Sequence, residues 1–557
     1  MANARIRSRI RARRAAMRAA LALLACAAIA RAFGRTRERV RDDRSAFAGD
    51  DDREVRFNAI KNASVDAPKM RRRSSYWAPG ITTDDVKRND IKSAAREAFA
   101  AYEAVAMGHD ELAPMSNRGV DDFGGFGATL VDSLDTLYVM GLREEFTRAL
   151  MYLKRRDSAL SALARGEVNR DVSVFETNIR ILGGLLSTYD LTGDADVLEL
   201  SETLASRLSA AFQTPSGVPR SFVNAKTGHS FGLPWVGKAS ILADFGSMHL
   251  EWATLSARAR NPIYEAHTAA VFDKIMATPV ASSTPTGLFP VLFNPETGAW
   301  VGQKVSFGSL GDSFYEYLIK CWRSLDALHE ADAWRRAFDA AMAAMKTSLL
   351  HTWKTSENGE RFAYVAPLGG DATSMEHLTC FMPGMLVLGG AEAPTQALAD
   401  DYVQMAKDIA RTCVAMYTST PTGLSADTVQ FVANATSPTF TVRKSIQRPE
   451  TVESLFYLYR KTGDDAYRQQ AWTIFQAMKR NYRTSNGGWQ GIKDVSVEHA
   501  QGDDKQQSFF LAETLKYLYL TFSDGETMHL DEWVFNTEAH PFKITKNVTT
   551  VEAAVAM

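Results

Sequence analysis

Seven times between about residue 90 and residue 524, a helical run with an apolar stripe stops at a short turn containing Gly, Asp or Asn. The turns fall near Gly141–Glu144, Thr192–Asp194, Arg260–Pro262, Glu330–Asp332, Gly389–Ala391, Thr462–Asp464 and Ser523–Gly525, and a second helical run is expected after each. A recurrence of roughly 50–70 residues suits stacked helical hairpins rather than βαβ units. Within 172–194, Val174, Phe175, Ile179, Leu182, Leu185, Leu186 and Tyr189 recur at spacings of three and four, which marks a buried stripe. Thr192-Gly193-Asp194 then ends the helix, glycine suiting a left-handed cap and aspartate starting the next helix. Thr462-Gly463-Asp464 repeats the device after Val452, Leu455, Phe456, Leu458 and Tyr459. Gly183-Gly184 inside the first run costs about 1 kcal/mol per glycine relative to alanine, which predicts close approach by a neighbouring helix. Strand-like alternation is sparse, with Thr428–Val442 and Trp533–Val548 the better hairpin candidates. The expected fold is an all-α toroid of helical hairpins, inner helices leading and outer helices returning.

In most units an acid or a histidine stands about 10–20 residues before the turn, near the start of the leading helix. The set is Asp132 and Asp135, Glu176, Asp244 and Glu251, Asp312, His377, Glu450 and Glu453, then Glu513. At a rise of about 1.5 Å per residue these side chains share one end of their helices, so a closed ring makes that end a carboxylate-lined bowl. Paired carboxylates on a hydroxyl-rich substrate suggest glycoside hydrolysis, one acid protonating the leaving oxygen and another activating water. Glu176 and Glu450 start different leading helices and could face each other, with Arg180 one turn after Glu176. Other readings stay open. Acids in a first turn also stabilise helix N-termini, which would account for Glu450 and Glu453. Asp312, in Gly311–Tyr317, could be an N-cap, with Glu316 one turn later on the same face. His377 could be structural, and Phe509, Phe126 and Trp252 could be core rather than sugar platforms. Asn536–Pro541 lies beyond the last hairpin and could plug the ring, bringing Thr537 and Glu538 to the acidic floor. A hard cation such as Ca²⁺ would suit that place.

Hydrophobic content of 45% and charged content of 23% are ordinary for a globular protein. Residues 1–40 hold eleven Arg and one Glu, leaving 53 basic against 64 acidic residues in the remainder. A mildly acidic body does not suit a nucleic-acid binder. Arg5–Arg18 is basic, and Ala19–Ala30 is apolar but shorter than the roughly 20 residues of a comfortable span. A short signal anchor, a cleaved signal peptide and an organelle transit peptide all fit it. The charged stretch 34–75 reads as a flexible stem. Cys380 and Cys413 could form one disulfide in an oxidising lumen, while Cys321 reads as packed. Sequons stand at Asn62, Asn434 and Asn547.

Seven ordered blocks carry a resemblance. They are Gly125–Tyr138, Val172–Gly184, Gly311–Tyr317, His377–Gly384, Arg448–Glu453, Ser508–Thr514 and Phe535–Phe542. Together they resemble glycoside hydrolase family 47, the class I α-1,2-mannosidases that trim high-mannose N-glycans. The resemblance implies an (α/α)7 barrel over 86–545 with a C-terminal β-hairpin or loop plugging one end. The expected division is then a basic N-terminus with a signal-anchor or signal segment over 1–33, a flexible stem over 34–85 and a C-terminal tail over 546–557. An inverting mechanism and a Ca²⁺ cofactor also follow from the resemblance. Carried over, Glu176 is the general acid, Glu450 the general base and Asp312 the third catalytic carboxylate. Thr537 is the Ca²⁺ ligand. Arg180, Glu251, Glu316, His377, Arg448, Glu453, Phe509, Glu513 and Glu538 form the substrate-binding floor, and Cys380–Cys413 is the disulfide. The implied protein is a monomer with a lumenal catalytic domain on a Golgi or endoplasmic-reticulum membrane, in type II orientation, without a nucleic-acid partner. Leu310 stands where endoplasmic-reticulum members carry arginine, as in Golgi-type members, which implies trimming of several branches. Asp244 and Asp427 replace usual glutamates, and Phe126 replaces a common tryptophan. The rival class is a degradation-enhancing, lectin-like relative that binds misfolded glycoproteins. Such relatives commonly lack both cysteines and carry extra C-terminal domains.

Overall fold

The computed structural model describes residues 76–324, 331–356, 359–391 and 393–544. The basic N-terminal segment expected over 1–33, most of the expected stem and the expected 546–557 tail lie outside the described residues. Helices α1 (Asp85–Ala106), α2 (Ala128–Val139), α3 (Arg143–Leu153), α4 (Gly183–Thr192) and α5 (Ala195–Leu208) come first. Next are α6 (His249–Ala259), α7 (Ile263–Ala277), α8 (Asp312–Ser324), α9 (Ala331–Ser348) and α10 (Met382–Gly390). The last are α11 (Gln396–Thr418), α12 (Glu450–Thr462), α13 (Asp465–Tyr482) and α14 (Leu515–Thr521). The even-numbered helices each pack on the next, and Phe510–Thr514, the turn leading into α14, packs back on α2. They therefore close an inner ring, with an outer helix against each. Among the described residues this is an (α/α)7 barrel.

Burial follows from that layout. Glu450–Arg460 of α12 is buried on every face, as befits a helix with protein all round. Its partner α13 buries a single stripe, including Ile474, Phe475, Met478 and Tyr482. The turns between them use the expected chemistry. Gly193 and Gly463 adopt φ of 72° and 67°, while Asp194 and Asp464 accept N–H bonds from Asp196 and Ala466.

The last unit differs from the expectation. After Ser523–Gly525 no helix follows among the described residues; the chain enters a hairpin instead. The outer partner of α14 is α1, from the far end of the barrel sequence. Asp84 N donates to Phe522 O at 2.9 Å, and the Arg88 guanidinium lies 5.8 Å from the Tyr519 ring centre. The last inner helix needs its outer face covered, and the first helix of the barrel has no inner helix ahead of it. Tyr76 and Trp77, from the end of the expected stem, also lie on the ring through bonds to Val387 O and Asp531.

More strand is present than alternation suggested. Asp171–Ser173, Ser240–Ile241 and Ser374–Glu376 each pair antiparallel in a three-stranded sheet. At two or three residues they are too short to show a period of two. Each runs directly into a helical turn of the inner ring, so the sheets edge the same mouth as the helix N-termini. The expected hairpin at 428–442 is present as Thr428–Gln430 and Thr439–Val442. Trp533–Phe535 pairs with Pro541–Lys543 and packs on α8 and α4, plugging the ring; it closes before Val548, and 545–548 lie outside the described residues.

Gly184 meets the expected neighbour helix: a Cβ there would lie 2.7 Å from Val131 Cγ1 of α2. Gly183 answers to the plug instead, where a Cβ would lie 2.6 Å from Asn536 Nδ2. Cys380 and Cys413 form a disulfide with Cα atoms 5.8 Å apart, and Cys321 is free and buried. No described helix is long and apolar enough to cross a membrane.

Candidate active site

The mouth of the ring gathers charged groups from most of its inner helices. Arg180 lies in a π-helical turn, Thr177–Leu182, between Glu176 and α4. Its Nε donates to Glu176 Oε2 at 2.8 Å, and its Nη1 donates to Glu538 and, at 3.1 Å, to Ser508 Oγ. Phe123 covers the guanidinium, ring centre 4.6 Å away. Across the mouth, Glu450 opens α12. Its Oε2 lies 2.7 Å from His377 Nδ1, while His377 Nε2 lies 2.8 Å from the Tyr417 hydroxyl and 3.0 Å from Thr451 Oγ1. An ionised Glu450 only accepts, so Nδ1 carries the donated proton. Arg448 Nη1 stands 3.7 Å from Glu450 Oε1, and its Nε donates to Asp427 at 2.5 Å.

Asp312 is the first residue of α8 rather than its N-cap, and its carboxylate accepts the adjacent Ser313 N–H at 2.9 Å instead of an amide further into the helix. The loop before it is fixed by Glu376, which accepts from Ser309 N at 2.6 Å and Ser309 Oγ at 2.8 Å. Leu310 in that loop is left-handed at φ 77°, an uncommon state for a branched side chain, and its carbonyl accepts from Ala243 N beside Asp244.

The floor is the plug and the acids beneath it. Asn536 is bonded on every side. Its Nδ2 donates to Ile179 O, a carbonyl of the π-turn, and to Glu251, while its Oδ1 accepts from Glu538 N and His540 N. Lys320 donates to Asn536 O and to Glu316, and stands 3.9 Å from Glu453. Tyr317 donates to Glu251 at 2.6 Å and accepts from Thr537 N at 3.4 Å. Thr537, between buried Asn536 and Glu538, is itself half-buried at the tip of the hairpin.

Electrostatics separates these acids into classes. Burial pushes Asp312 up to about 7, helped by the charges of Glu316, Glu376 and Glu450. Burial also raises Glu251 to about 7 and lifts Glu453. Glu513 and Glu538 rise well above the usual range, through burial first; Glu538 and Glu453 add to the rise in Glu513, and Asp132 and Glu176 to that in Glu538. Asp244 rises through burial and the charges of Glu176 and Asp312. Glu450 is the exception: burial opposes its charge, yet His377 and Arg448 together outweigh burial and hold it below the carboxylate range. These mutual influences span Glu176, Asp244, Asp312, Glu450, Glu513 and Glu538, so the acids expected to converge share one space.

Some expectations resolve otherwise. Asp132 and Asp135 do not line the bowl but grip the plug, at 3.3 and 2.6 Å from the ring nitrogens of His540. Trp252 is core, donating to Asn178 Oδ1 at 2.9 Å, and Phe126 is buried; Phe509 stays half-buried. Other residues had no role assigned from sequence. Lys320 had a signal, standing one turn after Glu316. Asp110 had none. Its carboxylate accepts the backbone N–H groups of Phe123, Gly125, Phe126, Gly127 and Ala128, between 2.7 and 3.2 Å, and so folds the loop that lays Phe123 on Arg180. Among the described residues, no group of three or more His, Cys, Asp or Glu side chains has the geometry of a metal site.

A helical toroid with a β-plugged, carboxylate-lined mouth defines the class: an (α/α) barrel with clustered acids at one end. A family model described as glycosyl hydrolase family 47 matches residues 94–544. Mannosyl-oligosaccharide 1,2-alpha-mannosidase MNS1 of Arabidopsis thaliana is 41% identical over 471 residues, covering 84% of this chain and 80% of that protein. Mannosyl-oligosaccharide 1,2-alpha-mannosidase IA of Sus scrofa is 40% identical over 478 residues, covering 84% and 69%. The solved alpha-1,2-mannosidase from Trichoderma reesei superposes with a TM-score of 0.75 at 27% identity, covering 83% of this chain and all of that one. The chain belongs to glycosyl hydrolase family 47.

Proposed function

We propose that this chain is an inverting exo-α-1,2-mannosidase, dependent on Ca²⁺, that trims terminal α-1,2-linked mannose from high-mannose N-glycans in the secretory pathway. The observation that carries the proposal is the meeting of Glu176, Asp312 and Glu450, from separate parts of the ring, around the plug that presents Thr537. Family membership and relatives bearing that activity in their names support it. A Golgi or endoplasmic-reticulum membrane, with the N-terminus as anchor, is part of the same proposal.

In the mechanism, Glu450 is the general base. Its carboxylate, charged and aimed by His377 and Arg448, takes a proton from the water that attacks the anomeric carbon. Glu176, oriented by Arg180, serves the leaving oxygen as general acid, through a water. Asp312 is the third carboxylate. One observation favours a second division of labour: Asp312 at about 7 still holds a proton near neutral pH, whereas Glu176 is paired with a guanidinium. Asp312 would then be the proton source. An α-mannosyl fluoride, whose leaving group needs no protonation, separates the two. Whichever of Glu176→Gln and Asp312→Asn keeps fluoride hydrolysis while losing disaccharide cleavage marks the acid.

The floor fits a hard divalent cation. The charges of Glu538 and Glu453 both lift Glu513, and buried Glu251 Oε2 has no hydrogen-bond partner among the described residues. Thr537 would hold Ca²⁺ through its hydroxyl and carbonyl, with waters held by Glu251, Glu316, Glu453, Glu513 and Glu538. When bound, the cation supplies coordination for two ring hydroxyls of the terminal mannose. Arg180, His377, Arg448 and Phe509 complete the pocket for that sugar. At the rim, Leu310 leaves room for several branches.

The test is mannose release from a high-mannose N-glycan before EDTA treatment, after it, and after CaCl2 is restored. Release from more than one branch, lost and then regained, is expected. Release untouched by EDTA would remove the cation, and release of α-1,6- but not α-1,2-linked mannose would overturn the assignment.

A further inference from the structure

We infer that Asp132, Asp135 and Lys516, which meet His540 where the first and last inner helices close the ring, position the Thr537 tip, so that ring closure and assembly of the cation and sugar site are one event. This rests on the reading of Thr537 given above.

The ring is covalently continuous from α2 to α14 but open in sequence between them. That seam is stapled by charge. Lys516 Nζ of α14 lies 2.6 Å from Asp135 Oδ1 of α2, both side chains fully buried. The same ammonium donates to Ala539 O at 2.7 Å, two residues past Thr537. His540 Nδ1 lies 2.6 Å from Asp135 Oδ2, and its Nε2 lies 3.3 Å from Asp132 Oδ1. The other oxygen of Asp132 stands 3.7 Å from Arg180, the partner of Glu176. Between the two grips Ala539 is left-handed at φ 58°, a conformation that persists in a non-glycine residue when its surroundings impose it. Removing the staple from either helix therefore takes one hold from the tip as well as opening the seam, while Asn536 and Glu538 keep their own bonds.

A second ion pair, half-buried and set against the same hairpin, provides the contrast. Arg258 donates to Asp190 at 2.7 and 2.9 Å and to Lys543 O at 2.8 Å, and Lys543 N donates to Asp190 at 2.8 Å. This pair holds the base of the hairpin and does not cross the seam. Both pairs support stability; the staple alone reaches the tip.

The experiment is calorimetric titration of EDTA-stripped protein with CaCl2. Wild type binds, and Thr537→Val does not. Lys516→Met, and the charge-matched double variant Asp135→Asn/Lys516→Met, bind roughly 10–100-fold more weakly, the usual cost of losing an outer support of a metal site. Asp190→Asn melts at lower temperature but keeps wild-type affinity. Hydrogen exchange of the wild type needs no variant to fold: CaCl2 protects 128–139, 515–521 and 533–543 together. Unchanged Ca²⁺ affinity in the Lys516 variants, or protection confined to 533–543, would overturn the inference. A wild type that binds no Ca²⁺ would strike the cation reading itself.

Discussion

Glu450 and Asp312 both open inner helices on the same mouth, yet they hold protons differently. His377 and Arg448 keep Glu450 ionised against its burial, while at Asp312 burial and the neighbouring charges of Glu316, Glu376 and Glu450 prevail and lift it to about 7. The pH profile of kcat follows if Asp312 is the proton source. The protonated acid is lost as pH climbs through about 7, and the basic carboxylate survives until pH falls below the ordinary range of glutamate. Activity should thus be broad on the acid side and fall above neutrality; a profile that falls first on the acid side, near pH 6, would contradict this assignment. Glu450→Gln removes the base while keeping its shape, so kcat should drop by about 10²–10⁴-fold with an unchanged melting temperature. Turnover within a few-fold of wild type would deny Glu450 its role. These acids were legible in sequence because their positions recur with the helices. Their protonation was not, since it depends on His377 and Arg448 for Glu450 and on buried neighbours for Asp312.

At the scale of elements, two glycines make opposite demands. Gly193 ends α4 in the left-handed region, and a Cβ added there would meet nothing within 4 Å, so Gly193→Ala costs about 1 kcal/mol of backbone strain and leaves activity intact. Gly183→Ala drives a methyl group against Asn536 and His540, costing about 1–3 kcal/mol and lowering activity by shifting the plug. Denaturant unfolding and mannose release on both variants check this pair; equal activity losses would refute it. Gly193 could be read from its neighbours Thr192 and Asp194, because a helix cap is local chemistry. The plug behind Gly183 could not, because it lies more than 350 residues away along the chain. Asp110 is the clearest omission. Five N–H groups converge on it, but backbone donors leave no trace in residue identity.

For the whole molecule, seven inner helices were legible as a period, whereas the pairing of α1 with α14 was not. Closure joins the two ends of the barrel sequence, and neither end carries a local sign of the other. The plug locks that closure in a pH-dependent way. Burial disfavours a charged His540, but Asp135 and Asp132 outweigh it and lift its pKa to about 9 from an ordinary 6.5. Its contribution to stability is therefore complete below about 6.5 and is lost as pH rises through about 9. Thermal melts should show this alkaline loss in wild type and a smaller one in His540→Gln; identical slopes would contradict it. The Cys380–Cys413 disulfide closes a loop across 33 residues, and Cys380→Ser/Cys413→Ser should lose roughly 2–4 kcal/mol against denaturant. The most direct test of the central claim follows the freed sugar by proton NMR during digestion of a high-mannose N-glycan. Wild type should release mannose first as the β-anomer, and Glu450→Gln should release none. An α-anomeric first product, or no mannose at all from wild type, would contradict a ring whose distant carboxylates act together on one α-1,2-linked sugar.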